Sequence, residues 1–188
     1  MKLGPIALVV IIILIATPLL FATWVAVTFN SFVGKDQAVL TQWAQVETQY
    51  QRKINLIPEI VAIASSYMQF ERSVLENITR LRSQWQNASG INQQINNATS
   101  IDQTLYLIKI TYEAYPELRA SELLINVMDT LTGTENRIAV EQSRYNGAVG
   151  VLNAQIRSFP DGWVAGTFGF QPRPFYAPIP GGPGNEVP

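Results

Sequence analysis

Two glutamates, Glu71 and Glu135, interrupt otherwise apolar helix seams, and their type and spacing could support chemistry. If their helices are antiparallel neighbours, the two carboxylates meet in one layer, where such pairs perform acid–base catalysis or bind a metal. Di-metal bundles also draw on Glu-x-x-His pairs, and the chain has no histidine. We therefore favour a buried polar layer that fixes helix register, with Arg52, Arg137 or Arg144 as partners.

Cysteine and histidine are both absent from the 188-residue chain. Their absence excludes disulfides, thiolate nucleophiles, zinc sites built on Cys or His, and catalytic triads that use histidine. The formal net charge is -1 without a long run of either sign, whereas nucleic-acid binding needs clustered Lys and Arg. The sequence therefore predicts no enzyme, no catalytic or metal-binding residue, no cofactor and no nucleic-acid partner.

Three glycosylation sequons begin at Asn77, Asn87 and Asn97, at ten-residue intervals. Each is a candidate acceptor site if the body lies outside the cytoplasm, and chance occurrence is the alternative. Asn77 points away from the helix seam, so a glycan would fit there. The stretch Asn87–Ser100 is rich in Asn, Gln and Ser and poor in charge, which predicts an exposed loop between helices.

The N-terminal segment Leu3–Phe29 is apolar, and no charged residue occurs between Lys2 and Lys35. About 20 helical residues cross a bilayer, whereas the apolar region of a cleaved signal peptide is usually only about 7–15 residues long. We therefore predict an uncleaved, single-pass membrane anchor over residues 1–34, with the lipid bilayer as a partner. The flanking lysines leave the orientation open, while the sequons and low charge favour an extracytoplasmic body.

Residues 35–157 carry apolar side chains at intervals of three and four, the spacing of long, coiled-coil-like helices. Pro58 is expected to end or kink the first run. The last run continues through Gly133, where glycine costs about 1 kcal/mol relative to alanine, and a break there is the competing interpretation. Because every amphipathic helix must bury its stripe, we predict an all-α, antiparallel up-and-down bundle.

The tail, residues 158–188, is predicted to be irregular and rich in aromatic residues. Packing of residues 158–176 against the bundle, with Phe159 and Phe170 as the deepest anchors, would remove a large apolar patch from water. Insertion into the membrane interface is the alternative. From Ala177 onward, the Pro- and Gly-rich sequence predicts disorder or an extended arm.

A set of short motifs runs through nearly the whole chain after the anchor: Trp43–Val46, Arg52–Val61, Tyr67, Glu71, Glu113–Ala120, Thr134–Ala139, Tyr145, Asn146, Ser158–Pro160, Ala165, Gly169 and Phe170. In these residues the chain resembles the LemA family. This resemblance implies a single-pass membrane protein with an antiparallel helical bundle, and it brings no established enzymatic activity and no catalytic residues.

Two classes of function remain open. The first is a membrane-anchored interaction or scaffold protein that acts through its bundle surface on protein partners whose identity the sequence does not give. The second is a structural subunit, a homo-oligomer that self-assembles into an extracellular, glycosylated filament, tube or coat. Low surface charge together with the sequons supports the second class.

Overall fold

The computed structural model describes residues 5–66, 72–113, 115–116 and 120–176. These ranges contain five helices and no strand, so the expected all-α class is confirmed for the described part of the chain. Glu71 and the segment from Ala177 onward lie outside the described residues, and the expectations for them stay predictions. The helices are α1 (Pro5–Ala64), α2 (Arg72–Gln86), α3 (Ile91–Glu113), α4 (Glu122–Arg157) and α5 (Asp161–Phe168).

Helix α1 is a single element of 60 residues that passes through Pro18 and Pro58 without interruption. Of the two outcomes expected at Pro58, the end of the helix is wrong, because α1 ends instead at Ala64, and the kink stays a prediction. A proline removes one backbone N–H and crowds the preceding turn, a local cost that packing on both sides outweighs. Ile57 and Ile60, which flank Pro58, are both buried, and their burial stabilises the helix across the proline.

The first part of α1 is the one segment among the described residues that is long and apolar enough, by length and composition, to cross a membrane. Every large apolar side chain from Ile6 to Phe21 is exposed. Soluble monomers rarely expose so large an apolar surface to water, whereas hydrocarbon accommodates it. The N-terminal helix is therefore consistent with a membrane protein, as predicted.

The chain divides into two compact units. The anchor unit consists of Met1–Leu40 with Ala148–Arg173, and the bundle unit consists of Thr41–Gly147 with Pro174–Pro188. Helices α1 and α4 contribute residues to both units. The division predicted from the sequence, at residues 1–34, 35–157 and 158–188, follows composition and stays a prediction.

Within the bundle unit, α1 and α4 run in opposite directions. The rings of Trp43 and Tyr145 meet edge to face with centroids 5.1 Å apart. Further along α1, Lys53 pairs with Glu135, which precedes Tyr145 on α4. Helix α4 passes Gly133 without a break, as predicted. The buried apolar residues of these two helices in this unit include Val46, Tyr50, Ile54, Ile57, Ile60, Leu124, Val127, Leu131 and Ile138.

Helix α3 runs parallel to α1 in the same unit. Gln94 Nε2 donates a hydrogen bond of 2.9 Å to Glu47 Oε1, and further along both helices Tyr50 contacts Asp102. Helices α2 and α3 pack against each other across the short connection 87–90, which makes them antiparallel. The directions of α1, α2, α3 and α4 therefore alternate in the order that an up-and-down bundle requires.

The expected loop over Asn87–Ser100 is wrong beyond its first four residues, because α3 begins at Ile91. Gly90 adopts a positive φ of 99°, a conformation open to glycine, and this reverses the chain just before the helix. Ala98 and Ile101 are completely buried. Burial of these two residues outweighs the poor helix propensity of the asparagines on the exposed side.

The tail contains a two-turn helix, α5, where an irregular segment was expected. Val164 and Ala165 on one side of α5 are buried. Gly169 ends the helix in the left-handed conformation, and its N–H bonds to the carbonyl oxygen of Ala165. The prolines on either side favoured an irregular segment, but burial of Val164 and Ala165 and the stop at Gly169 outweigh them.

The two aromatic anchors predicted for the tail behave differently. Phe159 is 95% exposed, so its prediction as a deep anchor is wrong. It lies in the turn between α4 and α5, where its side chain has no apolar surface to cover it. Phe170 is half-buried and stacks on the fully buried Phe32 at 5.0 Å, with Phe29 at 5.6 Å. Phe170 therefore packs on α1, but Val164, Ala165 and Tyr176 are buried more deeply, so its prediction as one of the two deepest anchors is wrong.

The tail continues within the anchor unit as extended chain to Arg173. The Arg173 guanidinium donates two hydrogen bonds to Asp36, from Nε to Oδ1 at 2.8 Å and from Nη2 to Oδ2 at 3.0 Å. The Asn153 side chain accepts a hydrogen bond from the backbone N–H of Arg173 and donates one to the Arg173 carbonyl oxygen. These contacts give the extended backbone the hydrogen bonds that a helix would supply internally.

Candidate functional site

A cation enclosed by two carboxylates lies inside the bundle unit. The ammonium group of Lys53 donates hydrogen bonds of 2.8 Å to Asp102 Oδ1 and 2.8 Å to Glu135 Oε1. The Lys53 side chain is only 4% exposed. An ammonium group removed from water at such a position requires paired, hydrogen-bonded carboxylates. We call Lys53, Asp102 and Glu135 the charged layer.

Three helices position the charged layer. Lys53 comes from α1, Asp102 follows the fully buried Ile101 on α3, and Glu135 follows the buried Thr134 on α4. Each charged residue therefore sits beside a residue that the packing already fixes. Because the three helices are held together by apolar burial above and below this level, the layer sets how they align rather than whether they associate.

Two tyrosines extend the charged layer. Tyr50 OH donates to Asp102 Oδ2 at 2.8 Å and lies 2.7 Å from Tyr176 OH. Since the Tyr50 proton is directed at the carboxylate, Tyr176 is the donor in the bond between the two hydroxyls. Gln142 Nε2 also donates to Tyr50 OH, at 3.2 Å. A continuous chain of polar groups thus runs from the C-terminal segment to the buried cation.

The ionisation behaviour of these groups follows from burial and from the carboxylates. Burial alone would lower the pKa of Lys53, but Asp102 and Glu135 outweigh it and the pKa ends above the usual value for lysine. Burial, reinforced by Asp102, raises the pKa of Tyr50. The same causes raise the pKa of Tyr176 to about 12. At neutral pH the lysine is therefore charged and both phenols are protonated.

The C-terminal segment 174–176 is held against the bundle by its own set of polar bonds. Tyr145 OH donates to the carbonyl oxygen of Pro174 at 2.7 Å. The Asn146 side chain accepts a hydrogen bond from the backbone N–H of Tyr176 at Oδ1 and donates one from Nδ2 to the Tyr176 carbonyl oxygen, both at 2.8 Å. The Tyr176 side chain is 3% exposed. This segment is therefore a strap that closes over the charged layer.

One residue of the predicted polar layer, Glu135, lies in the charged layer. Its cation is Lys53 and none of the arginines proposed from the sequence. Arg52 and Arg137 are exposed, and Arg144 pairs with Glu141 at 2.8 Å. Glu71 lies outside the described residues, so its meeting with Glu135 stays a prediction.

Lys53 and Asp102 were missed by the sequence reasoning, although a signal for Lys53 exists. A strict alternation of four and three from Val46 passes through Tyr50 to Lys53 and then Ile57, which places a lysine on the seam. The neighbouring Ile54 also fits a spacing of four, and hydrophobicity favoured it. Asp102 follows a seam residue directly and carries no comparable signal.

The three sequon asparagines lie on α2, on α3 and in the connection between them. Asn77 is half-buried and accepts a hydrogen bond from Arg80. Asn97 is half-buried and its Nδ2 donates to the carbonyl oxygen of Gln84 at 2.8 Å. Asn87 follows the end of α2 in the turn, is exposed, and donates to the carbonyl oxygen of Ser83 at 2.9 Å. By exposure, Asn87 is the best placed of the three acceptors.

In the charged layer the Lys53 ammonium pairs with both carboxylates, and Tyr50 and Tyr176 link Asp102 to the strap. Within the ranges that the structure describes, no group of three or more Asp and Glu side chains could hold a metal ion. A paired layer of this kind favours one helix register over its alternatives.

The fold and the charged layer define a helical protein with an apolar N-terminal helix and a body organised around a buried ion layer. The LemA family model matches residues 42–183, and the chain belongs to the LemA family. It is also similar to magnetosome protein MamQ 2 and magnetosome protein MamQ 1 of Paramagnetospirillum magneticum. Each is 20% identical over 205 residues, covering 95% of this chain and 75% of the relative.

Proposed function

We propose that this protein is a membrane-anchored scaffold, an up-and-down helical bundle that binds other proteins through its surface and performs no catalysis. Support comes from the exposed apolar start of α1, from the family membership, and from the likeness to two magnetosome proteins. The charged layer fits this role, because it fixes the helices in one register and so presents one defined surface.

One observation carries the proposal of a protein-binding surface. Helix α3 buries Leu105 and Ile108 in the bundle, yet Tyr106 and Ile110, one turn apart, form a second apolar stripe that is 45% and 46% exposed. A tyrosine beside an aliphatic residue on an exposed helix face is typical of binding surfaces, where aromatic residues are enriched. The polar residue Asn136 is exposed on a different helix, α4, and serves as a control.

Site-specific photocrosslinking in native membranes tests this proposal. A photoreactive phenylalanine analogue at position 106 is expected to give one discrete protein adduct, and the same analogue at Asn136 is expected to give much less. Replacing Ile110 by serine should weaken the adduct at position 106, since it removes half of the stripe. Equal adducts at both positions, or an adduct indifferent to Ile110→Ser, would contradict a specific surface.

The second candidate is a self-assembling, extracellular glycosylated subunit. The observation that favours it is the exposed sequon asparagine, Asn87, in the turn between α2 and α3. The photocrosslinking experiment separates the two candidates, because an adduct of twice the chain mass indicates self-assembly and any other mass indicates a different protein. Electron microscopy of native material would show filaments, tubes or coats only in the second case.

We also propose that the anchor stays uncleaved and that the body lies outside the cytoplasm. Low surface charge and the sequons support this side of the membrane. Intact mass of the native protein tests both points, since removal of the apolar segment or addition of glycans changes the mass. Protection of the bundle from external protease in whole cells, with no glycan on Asn77, Asn87 or Asn97, would contradict the extracytoplasmic location.

A further inference from the structure

A groove of about 520 Å³ lies between α1 and α5 in the anchor unit. This volume falls within the range of about 300–1,000 Å³ that small-ligand sites usually have. Trp163 and Phe168 on α5 line it, and Phe21 and Phe29 line it on α1. The rings of Phe21 and Trp163 lie 5.8 Å apart, and those of Phe29 and Phe168 lie 5.0 Å apart.

The position of the groove along α1 relates it to the bilayer. About 20 helical residues span the hydrocarbon core, so a span that begins near Ile6 ends near Val25. The groove is lined by α1 residues from Phe21 to Asn30 and therefore lies where the helix leaves the hydrocarbon. The next charged residue along α1 is Lys35.

The groove also has the chemical gradient of a membrane boundary. Helices α1 and α5 run in the same direction here, since Phe21 contacts Trp163 and Phe29 contacts Phe168. The polar lining residues Asn30 and Thr167 both lie toward the end farther from the membrane span. The other end is lined by aromatic and small apolar side chains. A lipid has the same order, from apolar chain to polar head group.

We propose that this groove is a lipid site, occupied by the acyl chain of a bilayer lipid at the level where α1 leaves the membrane. The inference rests on the membrane anchoring proposed above. The chief support is continuity, because the lining of the groove on α1 is the direct extension of the exposed apolar surface from Ile6 to Phe21. Trp163 is 55% exposed, and tryptophan is enriched at this depth because its ring is amphipathic.

The absence of cysteine from the chain makes depth measurements direct, since a single introduced cysteine carries the only label. Thr167→Cys reports the groove, Ile12→Cys reports the anchor, and Gln103→Cys reports the exposed face of α3. Each full-length variant is spin-labelled and reconstituted in phosphatidylcholine vesicles, and collisions with oxygen and with a water-soluble nickel chelate are compared. We expect oxygen to dominate at positions 12 and 167, and the nickel chelate at position 103.

The outcomes distinguish this inference from the membrane anchoring on which it depends. If position 12 reports lipid while position 167 reports water, the lipid site is wrong and the anchor stands. If both positions report water, the anchor itself is wrong. A label at position 167 that is shielded from both quenchers indicates a protein occupant, such as a second copy, and also overturns the lipid site.

Occupancy of the groove is tested with phosphatidylcholine that carries a photoreactive group on its acyl chain. The tryptic peptide that begins at Ser158 should carry the lipid adduct. Ala26→Trp fills the groove, because Ala26 lines it, and should abolish the adduct. Val27→Trp adds the same ring at an exposed position outside the lining and should leave it intact. An adduct that survives Ala26→Trp would overturn the proposal.

Discussion

Lys53 on α1 and Glu135 on α4 are joined by a salt bridge of 2.8 Å, although 82 positions separate them in the chain. Asp102 on α3 completes the pairing of the same ammonium group. A slip of α4 by one turn would move Glu135 by about 5.4 Å and leave the buried cation short of a partner. The charged layer therefore penalises alternative registers that the apolar seams alone would tolerate.

The charged layer predicts a large loss of stability when only its cation is removed. Lys53→Met leaves Asp102 and Glu135 facing each other with no positive charge between them. Removing one partner of a buried pair typically costs about 3–5 kcal/mol, and denaturant unfolding of the full chain in detergent measures it. Lys109→Met, at an exposed position on α3, should change the unfolding free energy little. A similar loss for both variants would contradict the buried-layer interpretation.

The tyrosines and the lysine predict a loss of stability at alkaline pH. Lys53, Tyr50 and Tyr176 all have folded-state pKa values above their ordinary ones, so the folded protein holds these protons more tightly than the unfolded chain. Their contribution is complete below the unfolded pKa and declines as pH rises beyond it. For Tyr176 the stability contribution declines between pH 10.0, the ordinary pKa of tyrosine, and about pH 12, its folded-state pKa.

Unfolding free energies measured across this alkaline range test the linkage. The wild-type protein should lose stability steadily, and Tyr176→Phe should show a shallower decline because it lacks one of the titrating groups. Tyr115→Phe, at an exposed position outside the charged layer, is the matched control. Equal slopes for Tyr176→Phe and Tyr115→Phe would show that Tyr176 does not titrate between the two states.

Periodicity predicts most of the helices because burial repeats at the helical interval. The long run that became α4 is one helix, as expected, and the cost of Gly133 is spread over many buried neighbours. Burial of neighbouring residues also explains why α1 does not end at Pro58. One unfavourable residue does not end a helix whose flanking residues, Ile57 and Ile60, are buried.

The charged layer was harder to predict than the helices. Glu135 stood out because a carboxylate on an apolar seam needs an explanation, and the structure gives one. Its partner depended on which of several basic residues faces inward, and a difference of one position separates the buried Lys53 from the exposed Arg52. The pairing of Asp102 with Lys53 and the exposure of Phe159 both depend on tertiary contacts. Neither leaves a local pattern in the sequence.

A single side-chain amide, that of Asn146, binds both backbone polar groups of Tyr176 in the strap. Asn146→Ala removes both partners of the Tyr176 backbone, and a backbone group that loses its bond in a buried site costs about 1–3 kcal/mol. Amide hydrogen exchange should rise at Tyr176 while exchange in α3 stays unchanged. Asn126→Ala, at an exposed position of α4, is the matched control. Unchanged exchange at Tyr176 would contradict this role of Asn146 and leave the Tyr176 side chain and the Tyr145–Pro174 hydrogen bond to hold the strap.

The final prediction compares two glycines that sequence reasoning cannot tell apart. A Cβ atom at Gly162, in the first turn of α5, would lie 2.7 Å from the backbone carbonyl oxygen of Ile156, whereas a Cβ atom at Gly133 meets nothing within 4 Å. The carbonyl belongs to helix α4 and cannot rotate aside, so α5 must shift. Overpacking of this kind typically costs about 1–3 kcal/mol.

Gly162→Ala should therefore speed amide exchange throughout α5 and lower the melting temperature. Gly133→Ala should raise the melting temperature, since alanine is favoured over glycine inside a helix by about 1 kcal/mol. The two variants carry the same chemical change, so opposite signs isolate the effect of the close approach. If Gly162→Ala left α5 as protected as in the wild type, α5 would not pack against the end of α4 as closely as the 2.7 Å approach requires.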